Sequence, residues 1–516
     1  MPTEASLRKS LQYYLSGEAR AFTVEELGQG DEFYLMLVRT LENLAITKRI
    51  KDIRAQAEQL PGKGRAKRLF DEEIAIAIAR LKADAATVEA AREASKRPAA
   101  VLTAVVRQEP VGHGGFHHGV VGAGSPSIRW IYDCGSWHKK DILKRRIDEL
   151  TERCRRHVRP TTDVDLLFIS HFDGDHVSGL GMLLERNQED RLRVDTAVIP
   201  YLSPVARFRT LAAAAARDKC SSALIDAVAQ PAKYCADRGI RRLIVVRPNP
   251  TDGGADGLPP VRFPGSSDVP ESRDPSVEHV LEFIDLEGRR LPSNQEHGIE
   301  VVDAPFGTKC GVAASGTAWA DWWFVPYADQ WVERESALVE KVEGLLKLSI
   351  THEDFDKELI ERFSTRCGLQ SVRENYKPLN ANRTSLSLYA GRPWWYRQIY
   401  PTSSPAGWLL TGDSCLKEMV RFKPWKEYFA GVSRDVGHLM VPHHGSAANF
   451  NESLPKVTPK AQYFVTINGS DERSGRRPSE KAKRAFNSIK IVSELDGCFS
   501  PVISGPHDPK QRYLDW

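Results

Sequence analysis

Four side chains able to ligate a metal fall within six residues: His171, Asp173, Asp175 and His176, in the run Ser170-His171-Phe172-Asp173-Gly174-Asp175-His176. The run follows Val164 to Ile169, a compact apolar stretch that reads as a buried strand. Sites in α/β proteins form at the carboxyl ends of strands. A turn of alternating His and Asp there can aim His171 and Asp173 at one ion, and Asp175 and His176 at another. Neither pair fills a coordination sphere, which needs four or more ligands, so the rest must come from elsewhere in the chain. Asp413 ends the apolar Trp408-Leu409-Leu410, where a carboxylate can bridge two ions. His443 and His444 end His438 to Val441, and either imidazole can complete a site. Asp133 ends Ile128 to Tyr132, placed to hold the ligand loop by hydrogen bonds. A lone H-x-D is most often a polar turn. Three ligand-bearing strand ends in one chain make that bland reading a poor one.

In sequence order, Asp133-Cys134-Gly135, His171 to His176, Thr411-Gly412-Asp413 and Val441-Pro442-His443-His444-Gly445-Ser446 resemble the motifs of the metallo-β-lactamase superfamily. They are most similar to those of ComEC-type hydrolase domains, with H-x-D-x-D-H in place of H-x-H-x-D-H. An N-x-x-S strand, here Asn382-Arg383-Thr384-Ser385, precedes T-G-D. The resemblance covers about residues 101–200 and 380–500. It implies an α/β fold, the αββα metallo-β-lactamase sandwich, with one or two divalent ions. Zinc or manganese is expected, and magnesium is admissible because carboxylates harden the site. The implied ligands are His171, Asp173, Asp175, His176, Asp413 and His443 or His444, with Asp133, Ser385 and Gly445 in support. Asp175 and Asp173 are the candidates for orienting the attacking water, with Asn382 and Arg477 beside the reacting group. Two departures from the pattern stand out. The third-motif His has no counterpart, and Asn382 or Ser385 lies in its place. The terminal G-H-P is replaced by Gly475-Arg476-Arg477-Pro478, where Arg477 can clamp a phosphate bidentately, and His507 is a distant substitute for the lost His.

The elements that must position these residues alternate. Strand patterns at Val101 to Val106, Ile128 to Tyr132, Val164 to Ile169 and Val194 to Ile199 are interleaved with helical patterns at Lys139 to Arg156 and Val177 to Arg186, the mark of α/β layers. After residue 200, Thr210 to Ala229 reads as one helix, Arg242 to Val246 as a strand, and 249–275 as an exposed loop rich in Pro, Gly, Asp and Ser. Strands resume at Ser385 to Ala390, Gly407 to Leu410, His438 to Val441 and Ala461 to Ile467. Residues 1–100 are helical in pattern, with an apolar stripe and many Ala, Glu and Arg. The expected organisation is a helical module over 1–100, then a hydrolase domain over 101–516 interrupted by an insertion at 201–380.

Composition bounds the function. Over 516 residues, 72 Lys and Arg against 68 Asp and Glu leave +4, which excludes a binder held by bulk charge but not a local basic groove. Basic residues do flank the motifs: Lys139 to Arg159 after Asp133, and Arg473 to Arg484 after the His pair. Such runs are commonly just solvated faces, but beside ligand loops they favour a phosphate-rich substrate. Trp394, Trp395, Tyr396 and Tyr400 suit either a hairpin core or base stacking. Gly112-His113-Gly114-Gly115 suits a tight turn better than ligation. The 8 cysteines form no C-x-x-C pair and read as free thiols. No apolar run spans a bilayer and the first residues lack a signal-peptide core, so the expectation is a cytoplasmic protein. The leading expectation is a metal-dependent phosphodiesterase or nuclease acting on nucleic acid or nucleotides, by analogy an effector of prokaryotic defence. An ester, thioester or lactam hydrolase would instead need an apolar pocket at Trp322-Trp323-Phe324. A partner-regulated protein would dock through residues 1–100 or the insertion.

Overall fold

A computed structural model describes residues 103–504, except 123–127, 138, 157–161, 185–191, 249–279, 286–290, 292, 305–309, 316–321, 330–335, 376–384, 393–403, 470–477, 494–498 and 500–501. The helical expectation over 1–100, the 249–275 loop, the aromatics at 394–400, Asn382, Arg477 and His507 lie outside the described residues. The chain divides into two units, Met1–Ala99 with Arg397–Pro401, and Ala100–Tyr396 with Thr402–Trp516.

The second unit holds two sheets. The first runs, in spatial order, β17 (Val502–Ser504), β1 (Thr103–Gln108), β2 (Phe116–Gly122), β3 (Ile128–Cys134), β4 (Val164–Phe168), β5 (Val194–Pro200), β6 (Arg242–Val246), β9 (Ile299–Ala304) and β8 (Ser293–Glu296). The second runs β16 (Ile489–Val492), β15 (Gln462–Thr466), β14 (Val436–Met440), β13 (Gly407–Leu410), β12 (Leu386–Gly391), β11 (Trp323–Ala328), β10 (Cys310–Ser315) and β7 (Val280–Asp285). Each sheet has a parallel run of strands, β3 through β6 to β9 in one and β13 to the edge strand β16 in the other.

β3, β4, β13 and β14 are buried on both faces, and alternation sorts their side chains into layers. In β4, Leu166 and Phe168 join Leu388, Trp408, Leu410 and Phe464 of the opposite sheet in one core between the sheets. Leu167 turns outward onto the helix Lys140–Arg156, which presents Leu143, Ile147, Leu150 and Cys154 at helical spacing, and Val164 at the start of the strand packs in the same outer core. In the second sheet Tyr389 and Leu409 turn outward onto Phe422, Trp425 and Phe429, from the helix Met419–Tyr428 and the residue after it. Three cores separate four layers, in the αββα order of the metallo-β-lactamase sandwich.

The described parts of residues 201–375 are woven into this architecture. β6 pairs with β5, β11 pairs with β12, and Phe208, Leu224, Leu359 and Phe363 pack in the outer core of the first sheet. Two sequence expectations need correction. The single helix over Thr210 to Ala229 is two helices, Pro204–Ala216 and Ser222–Ala229, because the Ser221 hydroxyl accepts the Leu224 N–H and starts a new helix. The helix over Val177 to Arg186 is also two short pieces, Gly174–Val177 and Leu180–Leu184. Of the three aromatics that an ester or lactam pocket would need, Trp322 and Phe324 belong to the core. Both are fully buried in the core between the sheets, with the Phe324 ring 5.5 Å from Trp130 and 5.7 Å from Phe168.

The basic run after Asp133 is largely paired within the protein. Lys144 bonds Asp148 at 3.2 Å, Arg156 lies 3.5 Å from Glu152, and Arg146 and Arg153 come within 3.6 and 3.7 Å of the buried Glu109. Among the described residues no helix is long and apolar enough to cross a membrane.

One core residue gives the stability a pH dependence. His438 stacks on Trp408 at 4.4 Å between ring centroids, and burial pushes its pKa down from 6.5 to about 4. Above pH 6.5 neither state is protonated and the residue imposes no penalty. As pH falls toward 4 the unfolded chain takes up a proton that the folded chain cannot, so stability is lost. His438→Phe is expected to remove about 2–3 kcal/mol of the stability difference between pH 7 and pH 4.5, measured by urea unfolding of both proteins at both pH values. An unchanged difference would show that the imidazole is not the source.

Candidate metal centre

The carboxyl ends of the parallel strands of both sheets meet at one edge. β3 delivers Asp133, the turn after β4 delivers His171 to His176, the turn after β13 delivers Asp413, and the turn after β14 delivers His443 and His444. The sheets are tied there by the Tyr132 hydroxyl donating to the Leu386 carbonyl at 2.6 Å, and by the Leu386 N–H donating to the Ser170 carbonyl at 2.8 Å. The loops pack closely because glycines let backbone meet backbone. A Cβ on Gly135 would lie 2.5 Å from the Asp175 carbonyl, which explains the Gly after Asp133-Cys134 in physical terms.

The structure groups two sets of ligand atoms, each within 4.8 Å of one another: Asp175, His176, Asp413 and His444, and His171, Asp173 and Asp175. Asp175 is common to both, where the sequence reading gave Asp175 to a single ion. Asp413 faces both sides. Its Oδ1 lies 3.4 Å from His176 Nε2 and 3.8 Å from His444 Nε2. Its Oδ2 lies 3.7 Å from His171 Nε2 and 3.5 Å from His443 Nε2. Of the adjacent histidines, His444 belongs to the deeper set and is buried. His443 stands outside both sets with a quarter of its side chain exposed. Both hold left-handed backbone, φ +49° and +55°, strain that non-glycine residues keep only when their surroundings over-determine it.

Hydrogen bonds fix the tautomers. Asp133 Oδ2 accepts from His176 Nδ1 and from the Ser170 hydroxyl, both at 2.7 Å, and Oδ1 accepts the Ser170 N–H at 2.7 Å. The Ser170 oxygen in turn accepts from His171 Nδ1 at 2.9 Å. His444 Nδ1 donates to the Thr466 carbonyl at 2.7 Å. In all three rings Nε2 is therefore the nitrogen turned toward the carboxylates. The Ser385 hydroxyl accepts the Asp413 N–H at 3.2 Å, and the Gly445 carbonyl accepts from Ser479, locking the two turns.

These residues fit a cation. His171 Nε2, His176 Nε2 and Asp175 Oδ1 are buried in the cluster without a hydrogen bond, and buried polar atoms left unpaired are costly unless a cation sits among them. Burial opposes charging His176, yet Asp133 and Asp175 outweigh it and hold its pKa well above the ordinary value. Burial likewise pushes Asp175 and Asp413 up, but the surrounding histidines overcome it and hold both carboxylates low. Burial raises Asp173, partly offset by His171 and Arg217. Imidazole and carboxylate donors in these numbers suit divalent zinc or manganese.

Sequence reasoning missed Ser170, Thr466 and Arg217, whose NH1 donates to Asp173 Oδ2 at 3.2 Å. Only Ser170 carried a signal, as the residue at the strand end immediately before the ligand run. His113 of the glycine-rich turn was set aside as a ligand, and its Nε2 lies 3.9 Å from Asp175 with its ring 4.0 Å from His444.

Layer order and site together define an αββα sandwich with a buried His/Asp cluster able to hold a divalent ion. Among solved structures the chain is similar to the metallo-beta-lactamase fold protein YhfI from Bacillus subtilis, at 10% identity over 78% of this chain and 100% of that one, with a TM-score of 0.28. It is also similar to unliganded yeast PDE1, at 10% identity over 77% of this chain and 98% of that one, with a TM-score of 0.31. Scores this low leave the weight on the layer order and the site geometry. No family model and no curated protein matches the chain.

Asp133→Asn keeps the shape, but its single amide oxygen cannot accept all three hydrogen bonds from His176 and Ser170. It is expected to weaken divalent-ion binding by about 10–100-fold, read by competition with a chelating dye, with circular dichroism unchanged. Wild-type affinity in that variant would remove Asp133 from the site's support.

Proposed function

We propose that this chain is a metal-dependent phosphodiesterase acting on nucleic acid or nucleotides. The observation that carries the reading is the pair of ligand sets sharing Asp175, with Asp413 facing both. Adjacent cation sites around one carboxylate suit in-line displacement at phosphorus, where attacking and leaving oxygens both carry charge. His171, Asp173 and Asp175 would hold one divalent ion, and Asp175, His176, Asp413 and His444 the other. When bound, such ions supply Lewis acidity, making water acidic near neutral pH and offsetting the charge that develops on phosphate oxygens.

The chain's own residues do the rest. Asp173, 8% exposed against 2% for Asp175 and 1% for Asp413, is the carboxylate nearest solvent and the one placed to orient an entering water. His443, at the Oδ2 side of Asp413 and partly exposed, is placed to donate a proton to a departing oxygen. The burial of Trp322 and Phe324 in the core takes away the pocket on which the ester or lactam reading depended.

Hydrolysis of bis(p-nitrophenyl) phosphate, single-stranded DNA and RNA by the full chain with manganese or zinc tests the reading. Activity is expected to disappear on chelation and return with added metal. Asp175→Asn, which touches both sets, should lower kcat at least 1,000-fold, on the order of 4 kcal/mol. A wild type inert toward every phosphodiester with every divalent metal would sink the proposal.

A further inference from the structure

The break between the helices Pro204–Ala216 and Ser222–Ala229 puts Arg217 where a continuous helix would not. It caps the first helix at φ −104°, ψ 9°, and its side chain turns to the ligand loop. There NH1 donates to Asp173 Oδ2 at 3.2 Å, while the guanidinium carbon sits 5.3 Å over the indole ring of Trp137. Trp137 lies on the turn that follows Asp133, and its N–H donates to the His113 carbonyl at 2.9 Å, joining it to the glycine-rich turn beside the cluster.

Arg217 is 46% exposed and Trp137 is half-buried, so the two stand at the mouth of the set formed by His171, Asp173 and Asp175. An ion pair whose guanidinium is open to solvent adds little to stability, so holding the fold together is a poor account of this arrangement. A guanidinium offers five N–H donors in a planar fork that matches phosphate oxygens. Asp173 takes one. The aromatic face keeps the fork in one orientation, which reduces the entropy lost when it grips a ligand.

We propose that Arg217, held on Trp137, is the subsite for a non-bridging phosphate oxygen of the substrate, and that it confers the preference for anionic phosphodiesters. This deepens the phosphodiesterase reading and rests on it for the substrate class. It concerns Arg217 as a binding residue, with Trp137 as the residue that positions it.

The test uses the metal-loaded full chain and the variants Arg217→Gln, Arg217→Lys and Trp137→Ala. Calorimetry measures the Kd of inorganic phosphate, steady-state kinetics separates KM from kcat for bis(p-nitrophenyl) phosphate, and mass spectrometry counts bound metal. Loss of a charged hydrogen bond predicts that Arg217→Gln raises phosphate Kd and diester KM by about 10–100-fold, with kcat changed much less and metal content kept. Arg217→Lys is expected to recover part of the binding, and Trp137→Ala to weaken it several-fold. Loss of metal in both Arg217 variants would overturn the proposal, making the residue a positioning partner of Asp173. Unchanged phosphate binding in Arg217→Gln would also overturn it. If the wild type hydrolyses no diester yet binds phosphate through Arg217, the subsite stands and the phosphodiesterase reading fails. If it hydrolyses diesters equally well with Gln at 217, the reverse holds.

Discussion

The site depends on one carboxylate. Asp133 holds left-handed backbone at φ +59° at the end of β3, and its two oxygens take three hydrogen bonds at 2.7 Å from Ser170 and His176. Through them it sets the tautomer of His176 directly and that of His171 by way of the Ser170 hydroxyl. Two Nε2 atoms are thereby committed to face carboxylates, which stays favourable only with a cation among them. Positive φ at Asp133, His443 and His444 stores strain of order 1–3 kcal/mol per residue. Three such residues around one cluster mean that the fold supplies the rigidity and the ligand geometry draws on it.

That rigidity comes from the join between sheets. Ser170 bridges Asp133 of the first sheet to Leu386 of the second, and the Thr466 hydroxyl, at the end of β15, donates to the Gly114 carbonyl at 2.7 Å. Thr466 also fixes His444. The loops carrying ligands are therefore tied to one another, and a metal bound by Asp175, His176, Asp413 and His444 would take ligands from both sheets.

The ligands were legible in the sequence because each follows an apolar strand, and strand ends are where α/β folds converge. The α/β layering was legible because strands buried on both faces read as short apolar runs between helical patterns, whereas the αββα order was implied only by the resemblance of the motifs to the metallo-β-lactamase superfamily. What was not legible acts through partners distant in sequence. Thr466 looks like any residue ending a strand, and its role exists only because Gly114 and His444 are brought to it. Arg217 was hidden inside an Ala-rich run whose propensity favours helix throughout, until Ser221 caps a second helix. Trp322 and Phe324 could line a pocket or a core equally well by composition, and packing decided for the core. The choice between His443 and His444 could not be made from neighbouring identical side chains. The Thr466 carbonyl makes it, turning His444 inward.

The central claim is that this buried cluster is a divalent metal centre. Anomalous diffraction from crystals of the full chain grown with manganese or zinc addresses it most directly. The account predicts a peak among Asp175, His176, Asp413 and His444, and a second among His171, Asp173 and Asp175. Crystals with neither peak, the imidazoles and carboxylates bridged by ordered water instead, would contradict it.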